Sequence, residues 1–364
     1  MDIPKPRLDR IDLTASSRNT LATLIKLLAP HAPYSLRILG TVLNAGPRTS
    51  ALQDIDPSKV SLWSTMPLHS EATSTADTPT LFSIVTFSHV NHEFSVFCSA
   101  ESSMSSGPPT EAEATHIVHV FEYLQDMASK ARPTYDSVLT DRLTYRTDTD
   151  PPLIIIGAVH SKWADLLAPV SMCQFPSMRY VFPYGAFAGD RLQTTVGRGD
   201  DTDELGIEVE VSEIQPSDLP FVRGASTIPR ADAYFLSRAP YSVCLRVRED
   251  IAAGADGGQP VACALLHSDG SLGGLHVDSK YQRRGLGRLV MRTLVEKLDF
   301  SLKDQGDLKL VSGDHQDLGG GALGWNWTDA EASNEVGNRL FTSMVASKEC
   351  LKWACQWIYI PVVL

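Results

Sequence analysis

The chain has six cysteines, Cys98, Cys173, Cys244, Cys263, Cys350 and Cys355, and no Cys-x-x-Cys pair among them. That scatter excludes a disulfide scaffold and the usual zinc spacings. Cys98, Cys244 and Cys263 sit within apolar strand-like runs, where a buried free thiol is the expectation. No apolar run is long enough to span a bilayer, so no membrane partner is expected. The opening Met1-Asp2-Ile3-Pro4-Lys5-Pro6-Arg7 lacks the apolar core of a secretory signal, and a cytoplasmic protein is expected. Positive charge is scarce. Against 43 Asp and Glu there are 32 Lys and Arg, a net charge of -11, which argues against nucleic acid as a partner. Neither Gly-x-x-x-x-Gly-Lys-Ser/Thr nor a strand–helix Gly-x-Gly-x-x-Gly occurs, which excludes the common nucleotide-phosphate loops. The histidine pairs His116/His119 and His89/His92 have no third ligand at metal spacing, so surface or capping roles are expected and no metal.

What is present fits an α+β chain, a three-layer α/β arrangement. At 364 residues and 43% hydrophobic content the chain can bury one large core or two ordinary ones. In the first half, Leu21, Leu24, Ile25, Leu27 and Leu28 mark a helix over 17–29 that stops at Pro30. Strands are expected at 35–43, 81–88, 93–99 and 153–157, and helices at 111–130 and 161–167. The polar, glycine-rich stretch 189–204 makes the best domain boundary. Beyond it, strict alternation from Ile207 gives a strand. Pro216-Ser217-Asp218 then opens a helix, with Ser217 or Asp218 suited to its N-cap. Strands follow at 241–247 and 260–267, and the turn Ser268-Asp269-Gly270 pairs the latter with 273–277 in a hairpin. A glycine loop and helix come next. After them come a strand near 308–312, a loop at Gly319-Gly320-Gly321, a strand at 325–327, a helix near 331–344 and a last strand at 353–363.

Residues 276–298 speak most directly about chemistry. A strand runs into Gln282-Arg283-Arg284-Gly285-Leu286-Gly287, and Leu286, Leu289, Val290, Leu294, Val295 and Leu298 follow at helical spacing. A glycine turn at a helix start leaves backbone N–H groups unpaired at the positive end of the helix dipole, where phosphate binds. Gly285 and Gly287 let a ligand approach the backbone. Between Asp278 and Glu296 every charge is positive: Lys280, Arg283, Arg284, Arg288 and Arg292.

The phrase strand–Val277–Asp278–x–x–x–Gln282–x–x–Gly285–x–Gly287–helix resembles the acyl-CoA motif of the GNAT superfamily of N-acetyltransferases. A second phrase, Asn334-x-x-Gly337-x-x-Leu340-Phe341, is similar to that superfamily's later motif. The order β-α-β-β-β-α-β-α-β over the second half also resembles its fold. Pro33-Tyr-Ser-Leu-Arg-Ile-Leu-Gly40 and Pro229-Arg-Ala-Asp-Ala-Tyr-Phe235 carry a narrower resemblance, to the FR47-like and glycine N-acyltransferase-like branch. This implies two tandem lobes: a degenerate one at 1–190, and a catalytic one with the acyl-CoA site at 205–364. The cofactor-binding residues implied are Val277, Gln282, Arg283, Arg284, Gly285, Leu286, Gly287, Arg288, Asn334 and Phe341.

The function implied is acyl transfer from acetyl-CoA or another acyl-CoA to the amine of a small molecule or amino acid. The alternatives are a non-catalytic acyl-CoA-binding protein and a protein or peptide N-acetyltransferase. The resemblance also implies that loop amides hold the cofactor diphosphate, that the strand before the loop splays from its neighbour, and that N–H groups around Val277 polarise the acyl carbonyl. Many members carry a Glu or His base on that strand, on the face of this Val. Counting back in twos from Val277 gives Leu275, Gly273 and Ser271, none of them a base alone. His267 and His276 are the remaining catalytic candidates, the latter of opposite parity unless a bulge rotates it. Phe341 stands where many members have the Tyr that reprotonates the thiolate. Trp325 and Trp327 are candidates for the acceptor or acyl pocket wall.

Overall fold

In the computed structural model the described residues are 7–13, 17–44, 58–68, 80–90, 93–102, 107–130, 153–183, 186, 195–196, 207–225, 230–247, 258–303, 320–345 and 350–361. In chain order the strands are β1 (Asp9–Arg10), β2 (Val60–Ser64), β3 (Ser83–Ser88), β4 (Glu93–Cys98), β5 (Leu153–His160), β6 (Cys173–Pro183), β7 (Thr195–Val196), β8 (Ile207–Ser212), β9 (Ser242–Val247), β10 (Pro260–Leu266), β11 (Leu272–Val277), β12 (Trp325–Glu331) and β13 (Leu351–Pro361). The α-helices are α1 (Ser17–Leu28), α2 (Leu36–Leu43), α3 (Glu111–Lys130), α4 (Ala164–Leu167), α5 (Leu219–Ala225), α6 (Asp232–Arg238), α7 (Leu286–Lys303) and α8 (Glu335–Met344).

Four apolar clusters set the layers. In the first half, Leu24, Ile25, Leu28 and Ile38 of α1 and α2 cover Leu62, Ile84 and Phe97. Ile117, Val120 and Phe121 of α3 cover the other face at Val85, Phe94 and Ile156. In the second half, Leu286, Leu289, Val290 and Leu294 of α7 pack on Val243, Leu245, Ala264 and Leu272, with Phe341 and Met344 of α8 beside them. Val222 of α5 and Phe235 of α6 pack on Cys244, Cys263 and Leu265 from the opposite side. Each half is therefore helix–sheet–helix, as the alternating patterns require.

The halves exchange strands. An eight-stranded sheet runs β1-β2-β3-β4-β5-β13-β6-β12, and a five-stranded one runs β11-β10-β9-β8-β7. β13, from the end of the chain, lies between β5 and β6, while β6 lies between β13 and β12. The last strand of each half is thus held by ladders to the other half.

Four expectations are corrected. Residues 36–43 form helix α2, not a strand over 35–43: seven of its eight residues are buried, so the apolar run carries no period to separate the two. The helix after Pro216 is capped by Gln215, whose side chain accepts from the Asp218 backbone while the Asp218 carboxylate accepts from Gln215 N–H, rather than by Ser217 or Asp218. β12 continues to Glu331, and α8 begins only at Glu335. His116 is buried rather than superficial, with Nε2 3.0 Å from Ser83 Oγ, and His89 pairs with Ser61 Oγ at 2.9 Å. His92, the strand at 308–312 and most of the 189–204 boundary lie outside the described residues. No helix among the described residues is long and apolar enough to cross a membrane. Nor do three His, Cys, Asp or Glu among them come together as metal ligands would.

Glu101 is buried just beyond β4, and its Oε1 accepts from Trp163 Nε1 at 2.8 Å and from Cys98 N at 3.1 Å. Burial outweighs these bonds and pushes its pKa from 4.5 up to about 7. A raised folded-state value means the stability this group contributes is complete below pH 4.5 and lost as pH rises through about 7. Glu101→Gln keeps an acceptor oxygen but cannot ionise. It is expected to match the parent at pH 4 and to be more stable by about 2 kcal/mol at pH 8. Urea unfolding at the two pH values checks this, and equal differences at both would contradict it.

Candidate functional site

β11 is the edge of one sheet and β12 the edge of the other, and no ladder joins them. Their starts meet where Gly270 packs on Gly321 O and the Trp327 ring, and a Cβ at Gly270 would lie 2.7 Å from that ring. At the far end of β11, Val277, Gly287 at the start of α7 and Leu340 of α8 converge. A Cβ on Gly287 would lie 3.4 Å from Leu340 Cδ2 and 3.7 Å from Val277 Cγ2. Between these two closures the edge of β11 faces a split with no strand among the described residues to pair it.

β11 is bulged. Cys263 pairs with His276 but Leu265 pairs with Gly273, so β11 holds one extra residue there, and Gly274 has φ +59. The bulge overturns the count by twos. Val277, Leu275 and Leu272 face the α7 layer, whereas Ser271 is tied to Asp269 Oδ1 through its N–H at 3.0 Å and its hydroxyl at 2.6 Å. His276 keeps the opposite face and stacks edge-on against Phe221 of α5 at 4.8 Å. The Gly273-Gly274 pair was the available sequence signal, since glycine inside a strand marks a bulge or a close approach.

The loop after β11 is shaped by its own polar groups. Asp278 Oδ1 accepts from Lys280 N–H at 2.8 Å, and Gln282 Nε2 donates to Val277 O at 3.2 Å. Arg283 and Gly285 take positive φ, 63 and 83, a left-handed geometry that costs a non-glycine residue about 1–2 kcal/mol. Such alternation turns successive N–H groups to one side. The first helical bond is Leu289 N–H to Gly285 O at 3.0 Å. Ahead of it, the N–H groups of Arg284 to Arg288 have no backbone acceptor among the described residues. Lys280, Arg283 and Arg288 are exposed, Arg284 is half-buried over the Tyr281 ring, and none of the four is ion-paired among the described residues. Arg288 Nη2 donates to Ser343 Oγ of α8 at 2.7 Å. A dipole end, a row of amides without backbone acceptors and cations without ion pairs are what binding of an anion requires.

The residues on α8 divide. Asn334 is the N-cap, its Oδ1 accepting from Gly337 N–H at 2.9 Å. Phe341 is buried against the Tyr180 ring at 5.5 Å. Trp325 and Trp327 point to the α2 side of β12, opposite the α7 layer, and Trp327 is wholly buried. His267 is part-buried, its Nδ1 2.8 Å from Tyr234 OH, and its Nε2 fills the space a Cβ on Gly273 would need. Burial first, then Arg230, holds its proton affinity far below the ordinary imidazole value. A ring so poor at holding a proton is a weak base near neutrality.

Sequence reasoning missed the charge cluster that closes the inner end of the split. Arg37 of α2 reaches Glu93 at 2.8 Å, Asp269 of the β10–β11 turn at 3.1 Å and Asp329 of β12 at 3.3 Å. Arg179 of β6 holds Asp329 with two bonds, at 2.7 and 2.8 Å. Arg37 also lies over the Trp357 ring at 4.8 Å and donates to Ser95 Oγ at 2.9 Å. Gly40, one turn on, admits the turn itself: a Cβ there would lie 2.2 Å from Asp269 O.

Residues 210–300 match the model of the acetyltransferase (GNAT) family. No curated protein sequence matches the chain. Among solved structures, a Drosophila protein is 13% identical with TM-score 0.53, covering 98% of each chain. A GNAT-family acetyltransferase from Colwellia psychrerythraea is 8% identical with TM-score 0.36, covering 98% of this chain and 99% of its own. A putative GNAT-family acetyltransferase from Novosphingobium aromaticivorans is 13% identical with TM-score 0.29, covering 60% and 77%. The Drosophila likeness establishes a shared fold, and the family match covers β11, the loop after it and most of α7, while β12 and α8 on the other side of the split lie beyond it. Residues 210–300 therefore belong to the acetyltransferase (GNAT) family, a family of transferases.

Proposed function

We propose that the chain is a cytoplasmic acyl-CoA-dependent N-acyltransferase of the FR47-like and glycine N-acyltransferase-like branch. It would move an acyl group from acetyl-CoA or another acyl-CoA to the amine of a small molecule or amino acid. Residues 205–364 form its catalytic lobe and 1–190 a degenerate partner lobe. One observation carries the reading: among the described residues, an unpaired strand edge leads directly into a row of amides without backbone acceptors, beside cations without ion pairs. That shape suits a ligand with an extended amide-bearing arm and a diphosphate, which is coenzyme A.

On this reading the N–H groups of Arg284, Gly285, Leu286, Gly287 and Arg288 hold the diphosphate, and Arg283, Arg284 and Arg288 neutralise it. Gln282 braces the loop against Val277 O. The β11 edge pairs with the pantetheine amides, Val277 N–H lies beside the thioester, and Asn334 and Phe341 present α8 to the same ligand. The transfer needs a polarised carbonyl, loss of an amine proton and a protonated thiol on departure.

A second reading, a non-catalytic acyl-CoA-binding protein, is favoured by a specific observation. The α7-facing side of β11 offers Leu272, Leu275 and Val277 but no acid or base, and Phe341 lacks a hydroxyl. Incubation with acetyl-CoA and a panel of amines, amino acids and peptides, read as free thiol, separates the two. Thiol release with a small amine or amino acid supports the enzyme. CoA affinity without release for any acceptor selects the binding protein.

A further inference from the structure

Arg238, at the end of α6, is a buried cation with no counter-ion. Among the described residues four arginines are buried, and three of them meet a carboxylate: Arg37 at Glu93, Arg179 at Asp329 and Arg246 at Asp218. Arg238 is 7% exposed and pairs with no carboxylate among the described residues. Its Nε donates to Leu266 O at 2.9 Å and its guanidinium lies 4.7 Å over the Tyr241 ring. Those contacts hold the fork in place without neutralising it. Nη2 is enclosed with no hydrogen-bond partner, and Nη1 has none either but is not enclosed. The one carboxylate that acts on Arg238 from nearby, Asp269, is already held by Arg37 and by Ser271. An unpaired buried charge is costly to keep, and a planar guanidinium with open donors is matched to a carboxylate.

The neighbours of Arg238 place this fork beside β11. Tyr234, one turn earlier on α6, has its OH 2.8 Å from His267 Nδ1, and Arg230 lies 4.4 Å over the Tyr234 ring. After burial itself, Arg230 and Arg238 both lower the proton affinity of His267, so both charges stand close to that ring. His267 in turn fills the space of a Cβ on Gly273 of β11. This is the face of β11 that carries His276 against Phe221 of α5, opposite Leu272, Leu275 and Val277. His267, Arg230 and Gly273 are only half-buried, so the group is reached from solvent. We propose that Arg238, flanked by Arg230, Tyr234 and His267, binds a carboxylate carried by the acceptor amine. That the ligand is the acceptor rests on the reading of β11 and its loop as the coenzyme A site; that it is a carboxylate does not. With the thioester beside Val277 N–H, four residues along β11 from Gly273, the carboxylate sits roughly 10 Å from the reacting amine once the bulge has shortened the strand rise. An α-amino acid carries its two groups too close together to reach both places, whereas 6-aminohexanoate has the length.

Calorimetry on the full chain with 6-aminohexanoate and hexylamine, which differ in the carboxylate alone, tests the site without coenzyme A. 6-Aminohexanoate should bind about tenfold or more tightly than hexylamine, the fold-change of one charge-assisted contact. Arg238→Met should erase that preference and change coenzyme A affinity less than about twofold. It should also melt no lower than the parent, since an unpaired buried charge gives way to an apolar side chain of similar volume. A merely structural arginine would lower the melting temperature and leave the preference intact. With acetyl-CoA added, thiol release from the parent should favour 6-aminohexanoate over both hexylamine and glycine by the same factor, and release indifferent to the carboxylate overturns the assignment to the acceptor. Equal affinity of the parent for the two amines overturns the proposal without any variant having to fold, and so does a preference that survives Arg238→Met. A carboxylate preference without coenzyme A binding defeats the loop reading and leaves the carboxylate site. Coenzyme A binding without the preference defeats the carboxylate site alone.

Discussion

Arg37→Met is expected to destabilise the fold by about 3–5 kcal/mol, because it leaves three enclosed carboxylates facing one another with one cation fewer. Glu93, Asp269 and Asp329 come from β4, the β10–β11 turn and β12, so the loss loosens both walls of the split at once. The pH dependence identifies the cause. Burial alone would raise the Asp269 carboxyl, but Arg37, then His267 and the Ser271 bonds, hold it below the ordinary carboxylate range. A depressed folded-state value gives stability that is present above the unfolded pKa and lost as pH falls through the folded one. Acid therefore costs the parent stability that Arg37→Met has already lost, and the gap between them should narrow below about pH 4. At Glu93 burial wins over Arg37 and raises the carboxyl, so removing the cation drives it further toward the neutral form. Denaturant unfolding from pH 2 to 8 measures the gap. A gap under 1 kcal/mol, or one that ignores pH, would show that packing on Trp357 rather than charge is what Arg37 supplies.

Arg283→Glu combined with Arg284→Glu is expected to weaken coenzyme A binding at least 100-fold, since each charge-assisted contact to phosphate contributes about 1.5–3 kcal/mol. Reversal adds repulsion to that loss. The fold should tolerate both changes: Arg283 is exposed, Arg284 is half-buried, and neither makes an ion pair among the described residues. Calorimetry on the double variant, with thermal unfolding as a control, reads both quantities. Undiminished affinity in a folded variant would remove the diphosphate from this loop.

The parts legible in the sequence were those set by short-range rules. The period of Leu286 to Leu298, the glycines at 285 and 287, and the hairpin at Ser268-Asp269-Gly270 each state their structure within a few residues. α2 was not legible because Leu36 to Val42 are buried on almost every side, which erases the period that tells helix from strand. Its Gly40, a poor helix former, is required by the Asp269 carbonyl, a contact 229 positions away in the chain. The Arg37 cluster was hidden for the same reason: its members at 37, 93, 179, 269 and 329 meet only once β6 and β13 have crossed between the halves. β6 itself, with Pro176, Arg179 and Pro183, lacks the alternation of a half-buried strand. The bulge at Gly274 moved the count on β11 by one, so a register argument made from Val277 reached the wrong face beyond it.

Coenzyme A and pantetheine share the arm that would lie along β11 and differ in the diphosphate and nucleotide. Calorimetric titration of the full chain with each compound measures the contribution of the loop directly. A measurable heat with coenzyme A, and an affinity for pantetheine at least 100-fold lower, are what the amide row and its free arginines predict. No heat with coenzyme A, or equal affinity for the two, would contradict the site.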